Sequence, residues 1–248
     1  MFFKNGGVKM KLSPSVFSNK RTKISELGKD IFKNERMEFN HKYGLDGLVI
    51  LNNIKDNAIP VVFFDPQYRG VLDKLSYGNE GKRQIKRSEL QQMTEEKIVH
   101  FIREMDRVLI PTGHLFLWVD KFHLCQGISD WIKDTSLSIV DMIVWDKEKM
   151  GMGYRTRRQC EYLIVLQKKP IRAKNVWRLR NIRDVWKEKI VGKVHPHQKP
   201  IELQKILIQA VSNPGDVIMD VAAGSFSVLT SCIETGRLFI GTDIKEKQ

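Results

Sequence analysis

The chain has 248 residues, 42% hydrophobic and 29% charged, a balance typical of a folded domain rather than a disordered chain. No apolar run is long enough to cross a bilayer, and the N-terminus lacks the apolar core of a signal peptide, so we expect a cytoplasmic protein with no membrane partner. The three cysteines are widely spaced and lack close Cys or His companions, which predicts buried thiols and no metal site.

The net charge of +13 is concentrated in one region. Residues 144–199 hold sixteen Lys and Arg against five Asp and Glu, and residues 69–87 hold six against two. Clustered positive charge favours a polyanionic partner, because each neutralised phosphate releases condensed counterions. A solvated basic surface is the simpler interpretation, and the charge alone does not separate the two.

The first half of the chain predicts a polar arm followed by a buried strand. Residues 1–45 are polar with weak periodicity, and Gly44–Asp56 predicts a strand and turn. Ile59–Phe64 is a continuous apolar run, typical of a strand buried on both faces of a sheet. Arg69–Gln92 is charged and aperiodic, which indicates a long loop, and Thr94 predicts the N-cap of an amphipathic helix that ends before Pro111.

The second half alternates short apolar strands with amphipathic helices. The predicted strands are His114–Val119, Ser138–Trp145, Cys160–Gln167, Asp216–Val221 and Arg237–Asp243, and the predicted helices are Phe122–Asp134, Pro200–Ser212 and Ser225–Glu234. The strand that begins at Cys160 is expected to run antiparallel to its neighbour. The alternation predicts a doubly wound α/β sheet.

The tetrapeptide Asp65-Pro66-Gln67-Tyr68 lies where the first buried strand ends, the usual ligand edge of an open α/β sheet. A carboxylate and a backbone carbonyl can both accept hydrogen bonds from an exocyclic amine, and a tyrosine offers a stacking face for a base. An ordinary turn explains the tetrapeptide equally well when it is taken alone.

Two further motifs predict a nucleoside pocket. In residues 220–227 a strand ends in small residues before a helix, which lets backbone N–H groups approach a ligand. Asp243 follows the next strand, about twenty residues after the turn, where an acidic side chain can hold ribose hydroxyls. The segment His195–Pro200 enters a helix; a metal site at His195 and His197 lacks partners, and a turn lining a cofactor pocket is favoured.

In their order along the chain, these motifs resemble those of the bacterial amino-methyltransferases of restriction and modification, in the permuted class whose catalytic motif comes first. That family has Asp-Pro-Pro-Tyr, a target-recognition region, His-Pro-x-Gln-Lys-Pro, Asp-Pro-Phe-x-Gly-Ser-Gly, and an acidic residue after the next strand. This chain has Asp65–Tyr68, His195–Pro200, Asp220–Ser225 and Asp243 in that order, over roughly residues 47–245.

The resemblance implies an α/β fold with a Rossmann-like, seven-stranded methyltransferase sheet, a circularly permuted motif order and a small basic target-recognition region. An arm at residues 1–45 would precede a methyltransferase domain at 46–248. Within that domain we expect a catalytic half at 46–170, a recognition insert at about 171–194, and a cofactor half at 195–248. A homodimer and a cognate restriction endonuclease are further partners that the resemblance suggests.

The resemblance also implies S-adenosylmethionine as cofactor and the N6 amino group of adenine as target, favoured over N4 of cytosine because Asp opens the catalytic motif. Asp65 and the Pro66 carbonyl would accept hydrogen bonds from the amine, and Tyr68 would stack on the flipped base. The residues expected at the cofactor are Asp65, His197, Lys199, Asp220, Ala222, Gly224, Ser225 and Asp243.

Double-stranded DNA is the expected partner, and an amine within a duplex is reached only when its base is flipped out. The loop Arg69–Arg87, with Arg69, Lys82 and Arg83, is expected to grip the displaced backbone. The basic segment Arg172–Lys193 occupies the position where the family recognises its target. Its candidates for phosphate or guanine contacts are Arg178, Arg180 and Arg183.

Two departures from the family pattern put activity in question. Gln67 replaces the second proline of the catalytic motif, and Phe226 replaces the last glycine of the cofactor turn. If Phe226 points into the core, cofactor binding is expected to survive. The alternatives are an N4-cytosine enzyme, an enzyme acting on RNA or a protein amide, and a catalytically degenerate DNA-binding subunit.

Overall fold

A computed structural model describes residues 30–34, 36–67, 93–151, 155–191 and 198–244. Seven strands of this part of the chain form one sheet. They are β1 Ile59–Phe64, β2 Leu109–Val119, β3 Leu137–Asp146, β4 Cys160–Lys168, β5 Val185–Lys187, β6 Val217–Asp220 and β7 Leu238–Gly241. Their order is β5-β3-β4-β2-β1-β6-β7, which confirms the predicted seven-stranded α/β sheet.

Of these seven strands, β4 alone runs antiparallel to its neighbours. It pairs antiparallel with β2 and β3, whereas β1 pairs parallel with β2 and β6, and β6 pairs parallel with β7. The antiparallel pairing predicted for the strand at Cys160 is therefore confirmed. Its reversal brings the amino end of β4 to the edge of the sheet where the parallel strands have their carboxyl ends.

Helices cover both faces of the sheet. They are α1 Gly47–Asn53, α2 Glu95–Val108, α3 Lys121–Gln126, α4 Ser129–Ile132, α5 Ile201–Val211 and α6 Ser227–Thr235. Thr94 caps α2 as predicted, since its side chain accepts a hydrogen bond from the backbone N–H of Lys97. With 14 residues, α2 is the longest helix in the described ranges, and none there could span a membrane.

The alternation of side chains along β1 explains why its whole sequence is apolar. Val62 and Phe64 pack into the core on one face, together with α1 and α2, while Val61 and Phe63 pack into the core on the other, together with α5 and α6. All six residues of β1 are buried. A strand at the centre of a doubly covered sheet has no solvent face to fill with polar residues.

Three predicted elements were wrong. Gly44–Asp56 holds the helix α1 rather than a strand, with Asp46 as its N-cap. Phe122–Asp134 is divided into α3 and α4 at Gly127, whose φ of 87° no helix can continue. The strand predicted at His114–Val119 begins five residues earlier, at Leu109, and the helix before it ends at Val108. The other strands and helices of the second half lie within two residues of their predicted bounds.

The described part of the N-terminal segment packs against the rest of the molecule. Ile31 is 1% exposed, Phe32 forms a β-bridge with Ile54, and Tyr43 forms one with Thr242. The division predicted at residue 45 stays a prediction.

The cysteines differ in their surroundings. Cys232 is buried, Cys160 is half-buried and Cys125 is exposed, so the prediction of three buried thiols is confirmed only for Cys232. It lies in the last turn of α3, a short helix with only His123 buried.

Candidate active site

The candidate active site lies at the edge of the sheet where the neighbouring strands β1, β6 and β7 end. Asp65 follows β1, Asp220 is the last residue of β6, and Asp243 lies two residues after β7. Phe63 of β1 is in register with Asp220, which is in register with Gly241 of β7. Strand register therefore brings three carboxylates to the edge where ligands bind in open α/β sheets.

A cavity of about 320 Å³ opens at this edge. Its size is within the range of small-molecule sites. The cavity wall combines α1 and α2 with the turns that follow β1, β6 and β7. Among the residues that line it are Asp46, Gly47, Asp65, Gln67, Lys97, Lys199, Asp220, Ala222, Gly224, Ser225 and Asp243.

The turn between β6 and α6 presents its backbone to the cavity. Asp220 Oδ1 accepts a hydrogen bond from the Ala222 N–H at 3.1 Å, and Asp243 Oδ2 accepts one from the Gly224 N–H at 3.1 Å. Gly224 has a φ of 51°, where glycine is favoured, and an added Cβ would meet nothing within 4 Å. The turn is thus held by its own carboxylates and leaves open space beside Gly224.

The start of α1 forms the opposite wall. A Cβ on Gly47 would come within 2.4 Å of the Val221 carbonyl oxygen, so only glycine allows α1 to approach the turn so closely. Asp46 accepts a hydrogen bond from the Leu48 N–H at 3.0 Å and pairs with Lys97 Nζ at 2.9 Å. The sequence analysis missed these residues, although Asp46 before an apolar run is a recognisable N-cap signal.

Burial dominates the electrostatics of Asp220. Its side chain is almost excluded from water, and this burial, with the nearby carboxylates of Asp65 and Asp243, raises the pKa of Asp220 to about 8. The hydrogen bond from the Ala222 N–H opposes the shift without overcoming it. At neutral pH the Asp220 carboxyl is therefore largely protonated and able to donate a hydrogen bond.

Lys199 connects two carboxylates that are far apart in the chain. Its Nζ lies 3.0 Å from Asp65 Oδ2 and 2.8 Å from Glu161 Oε2. The ammonium also lies 4.9 Å from the centre of the Trp118 ring, in the range of a cation–π contact. Lys147 contacts the other oxygen of Glu161 at 3.3 Å.

The charges of this cluster stabilise one another. Burial alone would lower the pKa of Lys199, but Asp65 and Glu161 outweigh it and raise that pKa above its usual value. Burial would likewise raise the pKa of Glu161, but Lys199 and Lys147 lower it to about 2. Glu161 was missed in the sequence analysis; its signal was a lone acid at the start of an otherwise apolar strand.

The predicted catalytic and cofactor residues meet at the cavity as far as the structure describes them. Asp65, Lys199 and the cofactor-turn residues Asp220, Ala222, Gly224, Ser225 and Asp243 all line it, and Pro66 is buried directly beside them. Tyr68, Arg69, Lys82, Arg83, His195 and His197 lie outside the described residues, as does the loop predicted at 69–92.

Phe226 points away from the cavity. Its ring is 2% exposed and belongs to the core on the side of α5 and α6. Phe226 is not one of the described residues that line the cavity. The residue nevertheless keeps the left-handed backbone suited to glycine, with φ 56° and ψ 34°.

The basic segment crosses the surface beside β3 and α5. Its short strand β5 pairs with β3, and the indole N–H of Trp145 donates to the Glu188 carbonyl at 2.8 Å. Arg178 donates to the Gln209 carbonyl at 3.0 Å and to Asn213 Oδ1 at 2.8 Å. Arg178, Arg180 and Arg183 are all exposed. Arg178 differs from the other two in its contacts, because it holds the end of α5.

Known proteins resemble this chain in sequence or in fold. Residues 59–248 match the DNA methylase family. The Type II methyltransferase M.HhaII of Haemophilus parahaemolyticus is 56% identical over 207 residues, which cover 83% of this chain and 91% of the relative.

Two solved structures have a similar fold. The PvuII DNA methyltransferase, described as cytosine-N4-specific, matches with a TM-score of 0.64 and 14% identity, covering 82% of this chain and 81% of the other. The complex of M1.HpyAVI with S-adenosylmethionine matches with a TM-score of 0.58 and 19% identity, covering 83% and 94%.

A doubly covered sheet with a carboxylate-lined cavity at its ligand edge, together with the family match, defines a DNA-modifying enzyme. The chain belongs to the N6/N4 DNA methylase family and is an S-adenosylmethionine-dependent DNA methyltransferase related to Type II restriction-modification methyltransferases.

Proposed function

We propose that the protein methylates the N6 amino group of adenine at a specific site in double-stranded DNA. The observation that carries the proposal is Asp65, which lines the cavity and is held by Lys199 at 3.0 Å. An aspartate at the start of the catalytic tetrapeptide is the form typical of the family's adenine enzymes. The order of the motifs, with Asp65 ahead of the turn at Asp220, also supports the permuted class.

The residues at the cavity fit the cofactor. The backbone around Gly224 faces open space, and Asp243 lies at the end of the next strand, where its oxygens can accept hydrogen bonds from ribose hydroxyls. Ala222, Ser225 and Asp220 would lie against the cofactor, with Lys199 and His197 closing the pocket. When bound, S-adenosylmethionine supplies an electrophilic methyl group on a sulfonium.

The residues of the chain would prepare the amine for attack. The Asp65 carboxylate and the Pro66 carbonyl each accept a hydrogen bond from one N–H of the amine, which directs the nitrogen lone pair into the cavity. Lys199 pairs with the Asp65 carboxylate, which can accept a hydrogen bond and take up the proton that the methylated nitrogen releases. Tyr68 is proposed to stack on the flipped base.

DNA contacts are proposed for two regions. Arg180 and Arg183 are exposed on the basic segment, where they can reach phosphates or guanine edges, and Arg178 is the third candidate. Arg69, Lys82 and Arg83 are proposed to hold the displaced strand. A homodimer, a cognate endonuclease and a cytoplasmic location stay predictions.

N4 of cytosine is the second candidate target. The fold is shared with an enzyme described as cytosine-N4-specific, so the architecture alone favours neither amine. The degenerate-subunit alternative loses one of its two reasons, because Phe226 is directed into the core and leaves the cavity open. Gln67, its other reason, does line the cavity.

A transfer assay tests the proposal. Purified wild type and Asp65→Ala are incubated with radiolabelled S-adenosylmethionine and unmodified DNA, and the DNA is digested and analysed for methylated nucleosides. We expect 6-methyladenine with the wild type alone. Finding only 4-methylcytosine would replace adenine by cytosine, whereas duplex binding with no transfer would support the non-catalytic alternative.

A further inference from the structure

We propose that Glu161 is a positioning residue for methyl transfer: it holds the Lys199 ammonium in place, and Lys199 in turn orients the Asp65 carboxylate. The inference rests on the proposed function, since it assigns Asp65 the role of amine acceptor. Among the described residues that line the cavity, Lys199 is present and Glu161 is not. Glu161 therefore acts on the reaction through Lys199.

The sheet topology explains how Glu161 reaches the site. Glu161 is the second residue of β4, and β4 is antiparallel to β2, so its amino end lies at the same edge as Asp65. The register places Glu161 opposite Trp145 of β3. A parallel strand at this position would have put its first residues at the other edge.

The contacts of Lys199 leave its ammonium little freedom. Nζ lies between Asp65 Oδ2 at 3.0 Å and Glu161 Oε2 at 2.8 Å, and the Trp118 ring lies 4.9 Å away. The side chain is only 14% exposed. Without Glu161, one of these three contacts of the ammonium is lost. Lys199 can then move together with the Asp65 side chain and no longer fixes its orientation.

The negative charge of Glu161 also weakens the electrostatic attraction between Lys199 and the Asp65 carboxylate. Among the described residues, the titratable groups that face Asp65 are Lys199 and Asp220, and Asp243 in turn lies close to Asp220. Those facing Glu161 are Lys199 and Lys147. With Glu161 neutral, Lys199 pairs with Asp65 alone and competes more strongly with the target amine for its oxygens.

The kinetic test compares Glu161→Gln with wild type across pH. We expect kcat to fall by about 10- to 100-fold, as for misplaced catalytic groups, with the KM values for cofactor and DNA nearly unchanged. We also expect the acid limb of kcat/KM to move to lower pH, because a negative charge that favours protonation of Asp65 is gone. Glu161→Asp, which keeps the charge, should leave the limb near its wild-type position.

The matched control is Asp130→Asn, which removes one carboxylate charge from an exposed site on α4 and should change neither quantity. A wild-type kcat in Glu161→Gln would overturn the inference. So would a lower kcat accompanied by an unmoved acid limb and a loss of thermal stability, since those changes would show a structural role alone.

A second measurement does not depend on activity. Reductive methylation modifies only deprotonated amines, and the loss of Glu161 should lower the pKa of Lys199. In the cofactor-free protein we expect mass spectrometry to show Lys199 modified at least about threefold faster in Glu161→Gln than in wild type. An equal rate would overturn the inference, whereas a wild type that transfers no methyl group would contradict only the proposed function.

Discussion

Phe226 packs edge-on against Phe239, with the two ring centroids 6.1 Å apart and the ring planes at 70°. Phe239 belongs to β7 and is fully buried, so the contact joins the turn before α6 to the sheet. Lys42 Nζ lies 5.1 Å from the centre of the Phe226 ring. These contacts explain how a phenylalanine is held in a left-handed conformation at a position where the family has glycine.

At Phe226, the glycine variant should be more stable than the alanine variant, which reverses the usual order within helices. Phe226→Ala removes the ring and keeps the strained backbone, which we expect to cost about 3–5 kcal/mol. Phe226→Gly removes the same ring but relieves about 1 kcal/mol of left-handed strain, so it should be the more stable variant. Urea unfolding of both measures the difference. The control pair is Leu207→Ala and Leu207→Gly within α5, where the glycine variant should be the less stable of the two. If Phe226→Gly were also less stable than Phe226→Ala, left-handed strain at Phe226 would be contradicted.

Arg107 on α2 holds the end of α1. Its guanidinium donates to the Ile54 carbonyl at 2.9 Å and to the Leu51 carbonyl at 2.7 Å. We expect Arg107→Met to lower the free energy of unfolding by about 2–3 kcal/mol, because two carbonyls lose charged donors. Arg103→Met in the same helix breaks only an exposed ion pair with Asp134 and should cost less than about 1 kcal/mol. Equal losses in thermal melts of the two variants would contradict this role.

The buried Asp220 should make the cofactor-free protein less stable as pH rises. Its pKa is raised by burial to about 8 in the folded state, from 3.8, so the folded state binds its proton more tightly than the unfolded state between those values. Stability from this group is complete below pH 4 and is lost as pH approaches 8. Asp220→Asn keeps an oxygen for the Ala222 N–H and removes the titration.

Urea unfolding at several pH values tests that effect. The difference in unfolding free energy between Asp220→Asn and wild type should move in favour of the variant from pH 5 to pH 8. This free-energy difference should change by about 1.4 kcal/mol per pH unit, because the folded wild type holds a proton that the unfolded chain has released. Parallel curves for the two proteins would show that Asp220 titrates normally.

The arginines of the basic segment should separate into two kinds. Arg178→Ala breaks hydrogen bonds to Gln209 and Asn213, so we expect it to destabilise the fold by about 1–2 kcal/mol. Arg180→Ala should leave stability unchanged, weaken DNA binding, and reduce the slope of log affinity against log salt by about 0.9 if it contacts one phosphate. Binding isotherms at three salt concentrations would detect it, and an unchanged slope would remove Arg180 from the phosphate contacts.

Most strands of the sheet could be predicted from the sequence because burial on both faces leaves a direct signature. The short strand β5 was missed, since its three residues are exposed or only half-buried. Ile59–Phe64 is apolar throughout, and the structure buries every residue of it. The helix α1 was mistaken for a strand since its run Leu-Val-Ile-Leu is also apolar, although only one side of the helix is buried. In so short a run, helical and extended periodicities cannot be distinguished.

The site residues that belong to sequence motifs could be predicted, whereas those brought to the site by tertiary contacts could not. Asp65 and Asp220 are in recognisable turns, and both line the cavity. Glu161 is 38 positions before Lys199, and Lys97 is 51 positions after Asp46; both pairs meet only because of the sheet order and the packing of α2 on α1. No local pattern encodes such pairs.

The position of β1 at the centre of the sheet has a consequence for the synthesis of the protein. Val61 pairs with Ile218, so β1 leaves the ribosome more than 150 residues before its neighbour β6. At about 5–20 residues per second, translation of the intervening chain takes about 8–30 s. Throughout that interval a fully apolar strand has one hydrogen-bonding edge without its native partner, which favours capture by chaperones at low expression and aggregation of nascent chains at high expression.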